Sequence, residues 1–376
     1  MTELTLGVIG RTRKADERRL PIHPDHLDRI DADIRSRMYL EYGYGVDFGV
    51  SDEQLSVHVA GMRTRSELIA ECDVILLLKP NARDLSELRH GQVLWGWPHC
   101  VQDRELTEQA IQRQLSLIAF EAMNLWRTDG SFKLHVFHKN NEMAGYCSVL
   151  HALQITGSTG MYGRRLRAAV MGFGATARGA VTALTAHGIH DVGILTNRTV
   201  TEVASPIHSA EIMQFTHDDR GDGFPSSFVT TADGKVPLAG YLAEHDVVIN
   251  CVLQDTNAPL TFLNEDDLIE FRPGSLIIDV SCDEAMGFSW ARPTSFESPT
   301  FTVGSNITYY AVDHSPSYLW NSATWEISEA LMPYLRTVLA GRESWDADQT
   351  VRRAVEILDG SVRNPDILAF QQRLPN

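Results

Sequence analysis

Arg19, in the loop after a first short apolar run, and Lys79 and His99, after two further ones, together suit a 2-oxo acid. Arg19 lies in Asp16-Glu17-Arg18-Arg19-Leu20-Pro21-Ile22-His23-Pro24. A guanidinium there can clamp a carboxylate through two parallel hydrogen bonds, or Arg18 and Arg19 can simply pair with Asp16 and Glu17 at the surface. Lys79 closes the run Asp73-Val74-Ile75-Leu76-Leu77-Leu78 ahead of Pro80. It serves a ligand, or it carries its ammonium out to water along an apolar stem. His99, in Trp95-Gly96-Trp97-Pro98-His99-Cys100, titrates near neutrality and suits general acid–base work. A fourth place is Asp279-Val280-Ser281-Cys282-Asp283-Glu284, where Asp279 or Asp283 completes an acid–base relay or caps the segment that follows. Cations for the substrate carboxylate and a histidine for its carbonyl oxygen are what hydride delivery to such a compound requires. Negative charge develops on that oxygen and must meet groups already in place.

The hydride source is signalled by Arg167-Ala168-Ala169-Val170-Met171-Gly172-Phe173-Gly174-Ala175-Thr176-Ala177. It reads as a strand, a Gly-x-Gly-x-x-Ala turn and a helix over residues 178–187. Gly172 permits the tight turn, Gly174 lets the backbone approach a pyrophosphate, and Ala177 lets the helix pack close to the strand. The next strand, residues 191–195, runs into Thr196-Asn197-Arg198-Thr199 where an NAD site would place an acid. Arg198 would attract a 2′-phosphate, so the stretch points to NADP.

These residues need elements to position them. The first part alternates strands (residues 4–9, 73–78, 92–95, 115–120) with helices (24–31, 33–38, 64–72, 103–113), which implies a parallel sheet. A long helix over 142–156 leads to a second series with strands at 167–171, 192–195, 245–252 and 275–280. Beyond Phe301 the chain passes Tyr309-Tyr310-Ala311-Val312 and ends in helices over 321–339 and 350–358. The expected fold is α/β: two Rossmann-like, doubly wound parallel-sheet domains with a cleft between them. The substrate domain spans 1–140 plus 305–376, and an NADP-binding domain spans 141–304.

Composition bounds the partners. A net charge of −16 over 376 residues argues against nucleic acid and anionic membranes while leaving room for an anionic substrate. The N-terminus reads as a first strand and not a signal peptide, and no run is long enough to span a membrane. Cys72, Cys100, Cys147, Cys251 and Cys282 are scattered, with no CxxC, so neither a disulfide framework nor a metal site is expected. A cytoplasmic homo-oligomer acting on small molecules is the expectation.

With these motifs assembled, the chain resembles the alanine dehydrogenase and transhydrogenase N-terminal-domain family over nearly its full length. Glu17 to Pro24 looks like the family's Glu-x-Arg-Val-Ala-Leu-x-Pro, with Arg19 at the carboxylate-binding arginine. Lys79-Pro80 matches its substrate lysine, His99 its catalytic histidine, and Asp279-Val280-Ser281-Cys282-Asp283 its Asp-(Val/Ile)-Ala-x-Asp, with Asp283 at the catalytic aspartate. Arg292-Pro293-Thr294 through Pro299-Thr300-Phe301 also follows the family pattern. Within the family the likeness leans to the opine-forming N5-(carboxyethyl)ornithine synthase branch. It is carried by Gly96-Trp97-x-His99, Ala144-Gly145-Tyr146, Ala152-Leu153, Pro316-Ser317-x-Leu319, Asn321 and Glu326-x-Ser328. His314 stands where relatives have Asn near the nicotinamide ribose, and Tyr146 replaces an Arg of alanine dehydrogenase.

The resemblance implies cofactor contacts at Gly172, Gly174, Ala175, Thr176, Asn197, Arg198, Cys251, Val252, Leu253, Val280, Asp283 and His314. It implies an NADPH-dependent reductive condensation of an amino acid amine, ornithine- or lysine-like, with a 2-oxo acid such as pyruvate. Alternatives are reductive amination of pyruvate with ammonia, as in alanine dehydrogenase, and a non-catalytic NADP-binding paralogue.

Overall fold

The computed structural model describes residues 3–197, 210–218, 226–254, 259–284 and 286–374. The chain divides into two units, Met1–His138 with Leu319–Asn376, and Lys139–Tyr318.

Among the described residues the first unit carries an eight-stranded sheet. Its strands are β1 (Leu6–Val8), β2 (Met38–Glu41), β3 (Gly61–Arg63), β4 (Val74–Leu76), β5 (Val93–Gly96) and β6 (Ser116–Ala119), completed by Val355–Leu358 and Ser361–Val362. The first six run parallel in the order β3-β2-β1-β4-β5-β6. The strands are short and apolar on both faces because helices cover both. Leu6, Val8, Leu76, Trp95 and Ile118 face one core with Ile327, Leu331 and Leu335. Ile75, Leu77, Leu94 and Leu117 face another with Leu68, Leu106 and Ala110. Each such aliphatic side chain contributes about 1.5–3 kcal/mol on burial.

The helices start on readable signals. Thr64 caps Arg65–Glu71 in a reciprocal box with Glu67, and Asn81 caps Ala82–Glu87 in the same way with Asp84.

Two expectations are corrected here. Residues 350–358 are not one helix: Gln349–Ala354 is helical, and Val355–Leu358 pairs antiparallel with β6. The β-branched Val355 and Ile357 pack on the sheet, and the ladder shifts register between them, at Glu356. Residues 33–38 do not form one helix either. Ala32–Arg35 is helical, and Met38, fully buried, opens β2.

The second unit holds a nine-stranded sheet among its described residues. Its parallel part runs Glu211–Asp218, Asp191–Thr196, Arg167–Met171, Val247–Asn250, Leu276–Asp279 and Ile307–Tyr310. Antiparallel strands close both edges. Ile307–Tyr310 therefore belongs to this sheet and not to the first. The chain returns at Leu319, later than the expected 305, because Leu276–Ile278 needs a partner on its open side. Ala168 and Val170 face one core with Val149, Ala180 and Leu184; Ala169 and Met171 face the other with Leu238 and Phe262.

In each unit the six parallel strands follow one spatial order. The first strand of the series sits in the middle, and successive crossovers leave it in opposite directions. That reversal opens a crevice at the carboxyl ends of the two central strands, where ligands of such sheets bind. In the first unit the central pair is β1 and β4; in the second it is Arg167–Met171 and Val247–Asn250.

Candidate active site

In the first unit the loops leaving β1, β4, β5 and β6 carry Arg19, Lys79, His99 and Glu121. These four strands are neighbours in one parallel sheet, so the loops share its carboxyl edge. Arg19 is almost wholly buried, at 2% exposure. Its Nε donates to Glu17 Oε1 at 2.8 Å, its Nη2 to Glu17 Oε2 at 2.5 Å, and its backbone N–H to Oε1 at 3.1 Å. The guanidinium also lies 5.7 Å from the Trp97 ring centroid. Trp97 is itself held by Phe120 and Phe137, each at 5.0 Å. Arg19 is thus oriented by a buried carboxylate and an aromatic wall, which is the preorganisation an anion clamp needs. Arg18 is exposed and lies 4.7 Å over Trp320.

Lys79 is half-buried, between β4 and the Asn81–Asp84 box. The β5 loop is pressed against this segment: Trp97 N–H donates to Leu78 O at 2.8 Å, and a Cβ on Gly96 would stand 1.9 Å from Leu77 O. Only glycine fits there, and the contact ties the Lys79 loop to the His99 loop.

His99 adopts φ +50°, a left-handed conformation uncommon for a residue with a Cβ. Its side chain is 45% exposed. Its N–H donates to Glu121 Oε1 at 2.6 Å, and its Nδ1 lies 3.9 Å from the same oxygen. Strained backbone held by a specific bond is a common feature of functional sites. Burial holds the Glu121 carboxyl well above the usual range, helped by the charge of Glu356. The His99 N–H and the Lys79 ammonium oppose it.

In the second unit Gly172 takes φ +107°, and a Cβ on it would meet Cys251 O at 2.8 Å. The glycine turn and the Cys251-Val252-Leu253 loop therefore touch at the switch point. Gly174 is the N-cap of the helix Ala175–Ala186, whose first turn has no capping side chain and no acid. A Cβ on Gly174 would meet nothing within 4 Å. The space above this helix N-terminus is open and lined by backbone N–H groups of Ala175 and Thr176, so the residues present fit a dinucleotide pyrophosphate. Asn197 follows the strand Asp191–Thr196 as expected; Arg198 lies outside the described residues.

Asp279 is fully buried. Its Oδ1 accepts from Asn250 Nδ2 at 2.9 Å and from Cys282 N–H at 3.2 Å, and its Oδ2 from Tyr309 Oη at 2.5 Å. Burial pushes this carboxyl up to about 6, and the three donors limit the rise. Asp279 is therefore a strut. It anchors the turn through Cys282, at φ +48°, that carries Val280 and Asp283 away from the sheet. Asp283 is partly exposed, and burial raises its carboxyl too. His314 is buried beyond Ile307–Tyr310, with Nδ1 2.5 Å from Asp313 Oδ1 and its ring edge-on to Phe296 at 5.0 Å.

Glu17 as the partner that orients Arg19 inside the protein, Trp97 as its wall, and the Asn250–Asp279–Tyr309 strut escaped the sequence reading. Glu121 did as well, although the strand-end argument that singled out Lys79 and His99 applies equally to this residue, two past the end of β6.

The comparisons with known proteins bear on the family and the fold. The family model described as alanine dehydrogenase/PNT, N-terminal domain, matches residues 8–144, and that described as alanine dehydrogenase/PNT, C-terminal domain, matches 151–365. The chain belongs to the alanine dehydrogenase/PNT family, and it is an oxidoreductase of that nicotinamide-dependent class. Among its relatives is an N(5)-(carboxyethyl)ornithine synthase of Clostridium botulinum, 23% identical over 330 residues that cover 85% of this chain and 90% of the relative. An alanine dehydrogenase of Mycobacterium tuberculosis is 23% identical over 300 residues, covering 79% and 77%. A solved structure of L-alanine dehydrogenase superposes with a TM-score of 0.75 at 18% identity, over 98% of this chain and 99% of that one. Among the described residues no helix is long and apolar enough to cross a membrane.

Proposed function

We propose that the protein is an NADPH-dependent opine-type dehydrogenase. It joins the amine of an amino acid, ornithine- or lysine-like, to a 2-oxo acid such as pyruvate. The observation that carries this reading is the placement of Arg19, Lys79 and His99 on the carboxyl ends of three neighbouring parallel strands. Arg19, held by Glu17, and Lys79 bind the oxo-acid carboxylate. The amine attacks the carbonyl carbon, His99 supplies the proton that lets oxygen leave as water, and an imine remains. NADPH, when bound, supplies the hydride that reduces this imine to a secondary amine. Asp283 takes up and returns the protons that the amine loses and regains.

The residues that would hold the dinucleotide are Gly172, Gly174, Ala175 and Thr176 at the pyrophosphate, Asn197 and Arg198 at the 2′-phosphate, and Cys251, Val252, Leu253, Val280, Asp283 and His314 along its remaining length. The non-acidic Asn197-Arg198 supports NADPH, because an acid there would repel the 2′-phosphate. Likeness to a carboxyethylornithine synthase supports the condensation. Likeness to an alanine dehydrogenase supports the competing reading, in which ammonia is the amine.

Following NADPH absorbance with pyruvate and either ammonium or a panel of amino acids separates the readings. Turnover is expected only with an amino acid present. Full activity with ammonium alone would overturn the proposal.

A further inference from the structure

Arg18 neighbours the carboxylate clamp of Arg19 but takes no part in it. It lines a cavity of about 180 Å³ within the first unit, at the carboxyl ends of β1 and β2. The β1 loop contributes Arg11, Glu17 and Arg18 to the walls, and the end of β2 with its loop contributes Glu41, Tyr42 and Asp47. The volume lies below the roughly 300–1,000 Å³ that encloses a drug-sized ligand, so the cavity suits a small polar head group.

The walls are fixed. Glu41 Oε2 accepts from the backbone N–H groups of Gly10 at 2.9 Å and Arg11 at 3.2 Å, which ties the end of β2 to the β1 loop. The Gly43 N–H is shared between Oδ1 and Oδ2 of Asp52, at 2.9 and 3.1 Å. The buried Tyr44 hydroxyl donates to Ile22 O at 2.7 Å and accepts from the Ile22 N–H at 3.0 Å. Asp47 stands in the single helical turn Val46–Phe48, beside Phe48. Arg18 lies 4.7 Å over the Trp320 ring, and Trp320 meets Phe48 edge-on at 5.0 Å. One aromatic cluster thus carries the Arg18 guanidinium and adjoins Asp47.

The charges sort by loop. Glu17 is engaged by Arg19, and Glu41 by the backbone. What remains for a ligand is cationic on the β1 loop, at Arg11 and Arg18, and anionic on the β2 loop, at Asp47. A guanidinium and a carboxylate in one small cavity match the α-carboxylate and α-ammonium of a free amino acid. The position suits the chemistry as well. β2 and β4 flank β1 and lie about 10 Å apart at the usual strand spacing, comparable with the length of an extended ornithine- or lysine-like molecule. With its head on the β2 side, such a molecule points its terminal amine along the sheet edge towards the Arg19 and Lys79 loops.

We propose that this cavity holds the head group of the amine substrate. Arg18 binds its α-carboxylate, Asp47 binds its α-ammonium, and the side-chain amine is left to meet the oxo acid. The inference rests on the opine reading and deepens it. The amine is a free diamino acid, and not a diamine, an ω-amino acid or a residue within a peptide.

The test assays the full chain with pyruvate, NADPH and each of ornithine, putrescine, which lacks the carboxylate, and δ-aminovalerate, which lacks the α-amine. Wild-type kcat/KM for ornithine is expected to exceed that for either analogue about 10-fold or more. Arg18→Gln is expected to abolish the preference over putrescine and keep that over δ-aminovalerate. Asp47→Asn is expected to do the reverse, and Arg18→Lys, which keeps the charge, to restore most of the preference over putrescine. Both side chains are exposed, so neither substitution disturbs the core. An equal loss on all three amines, or ratios that do not move, would overturn the subsite and leave the opine reading standing. Calorimetric titration of ornithine into the same proteins needs no turnover. If ammonium alone is turned over, ornithine binding that weakens about 10-fold in both variants upholds the amino-acid site while the opine reading fails. In that case, absent binding, or binding indifferent to both substitutions, overturns the site too.

Discussion

Replacing Gly174 with alanine tests whether the open space above the helix Ala175–Ala186 is a phosphate cradle. Gly174 has φ −84° and ψ −168°, an extended conformation that alanine adopts readily. The new methyl would meet nothing within 4 Å. Stability should therefore be unchanged or rise by about 0.4–1 kcal/mol, because alanine has less freedom to lose on folding. A bound pyrophosphate would be pushed away from the backbone N–H groups of the first turn. Losing one charge-assisted hydrogen bond at about 1.5–3 kcal/mol weakens NADPH roughly 10- to 150-fold.

Gly172→Ala is the control with the opposite signature. At φ +107° and 2.8 Å from Cys251 O, the same methyl strains the backbone and forces the turn apart. About 3 kcal/mol of stability should be lost along with binding. Urea unfolding and titration of NADPH fluorescence read both quantities. If Gly174→Ala binds NADPH like the wild type, or if it unfolds as readily as Gly172→Ala, the cradle is wrong.

Other expectations follow from the same geometry. Asp279 is raised to about 6 against about 3.9 in an unfolded chain, so folding favours its neutral form. Its contribution is fully present below pH 4 and is lost as pH rises through 6. Asp279→Asn should therefore gain about 3 kcal/mol relative to wild type between pH 4 and pH 7.5, measured as the difference of two urea series. A flat difference would mean the carboxyl is not held neutral. Glu17→Gln removes the charge that holds buried Arg19 and should cost about 2–3 kcal/mol, with a raised KM for the oxo acid and little change in KM for NADPH. Unaltered stability and KM together would show that Arg19 needs no such support. His99→Ala should lower kcat by about 10²–10⁴ while leaving NADPH binding intact; near-normal kcat would remove His99 from the chemistry.

Much of this was legible because local rules suffice for it. The turn at Gly172–Ala177 announces itself by glycine spacing between a strand and a helix, and strand ends in parallel sheets announce functional loops. The helix starts at Thr64 and Asn81 are equally local, since a cap and its partner lie three residues apart. What escaped is non-local. Glu356 meets β6 across more than two hundred residues; the Asp359-Gly360 turn and the alternation around Glu356 mark a hairpin, but nothing local says which strand it joins. Ile307–Tyr310 reads as apolar in either unit, and only its hydrogen bonds to Leu276–Ile278 assign it to the second sheet. Asp279 and Asp283 look alike in the chain. They differ because Asn250 and Tyr309, from two neighbouring strands, converge on the first alone. Glu17 was visible as an acid near Arg19, but that the pair is buried depends on the walls of Trp97 and Thr324, the latter accepting the Leu20 N–H at 2.9 Å.

The central proposal is that a carbon–nitrogen bond forms between the amine of an amino acid and a 2-oxo acid at the expense of NADPH. Mass analysis of the product from pyruvate, the best amine of the panel and NADPH tests it most directly. A compound with the summed mass of both substrates, less one water and plus two hydrogens, formed in step with NADPH loss and abolished in His99→Ala, is the predicted result. Alanine as the sole product, formed with ammonium and indifferent to any added amino acid, would contradict it.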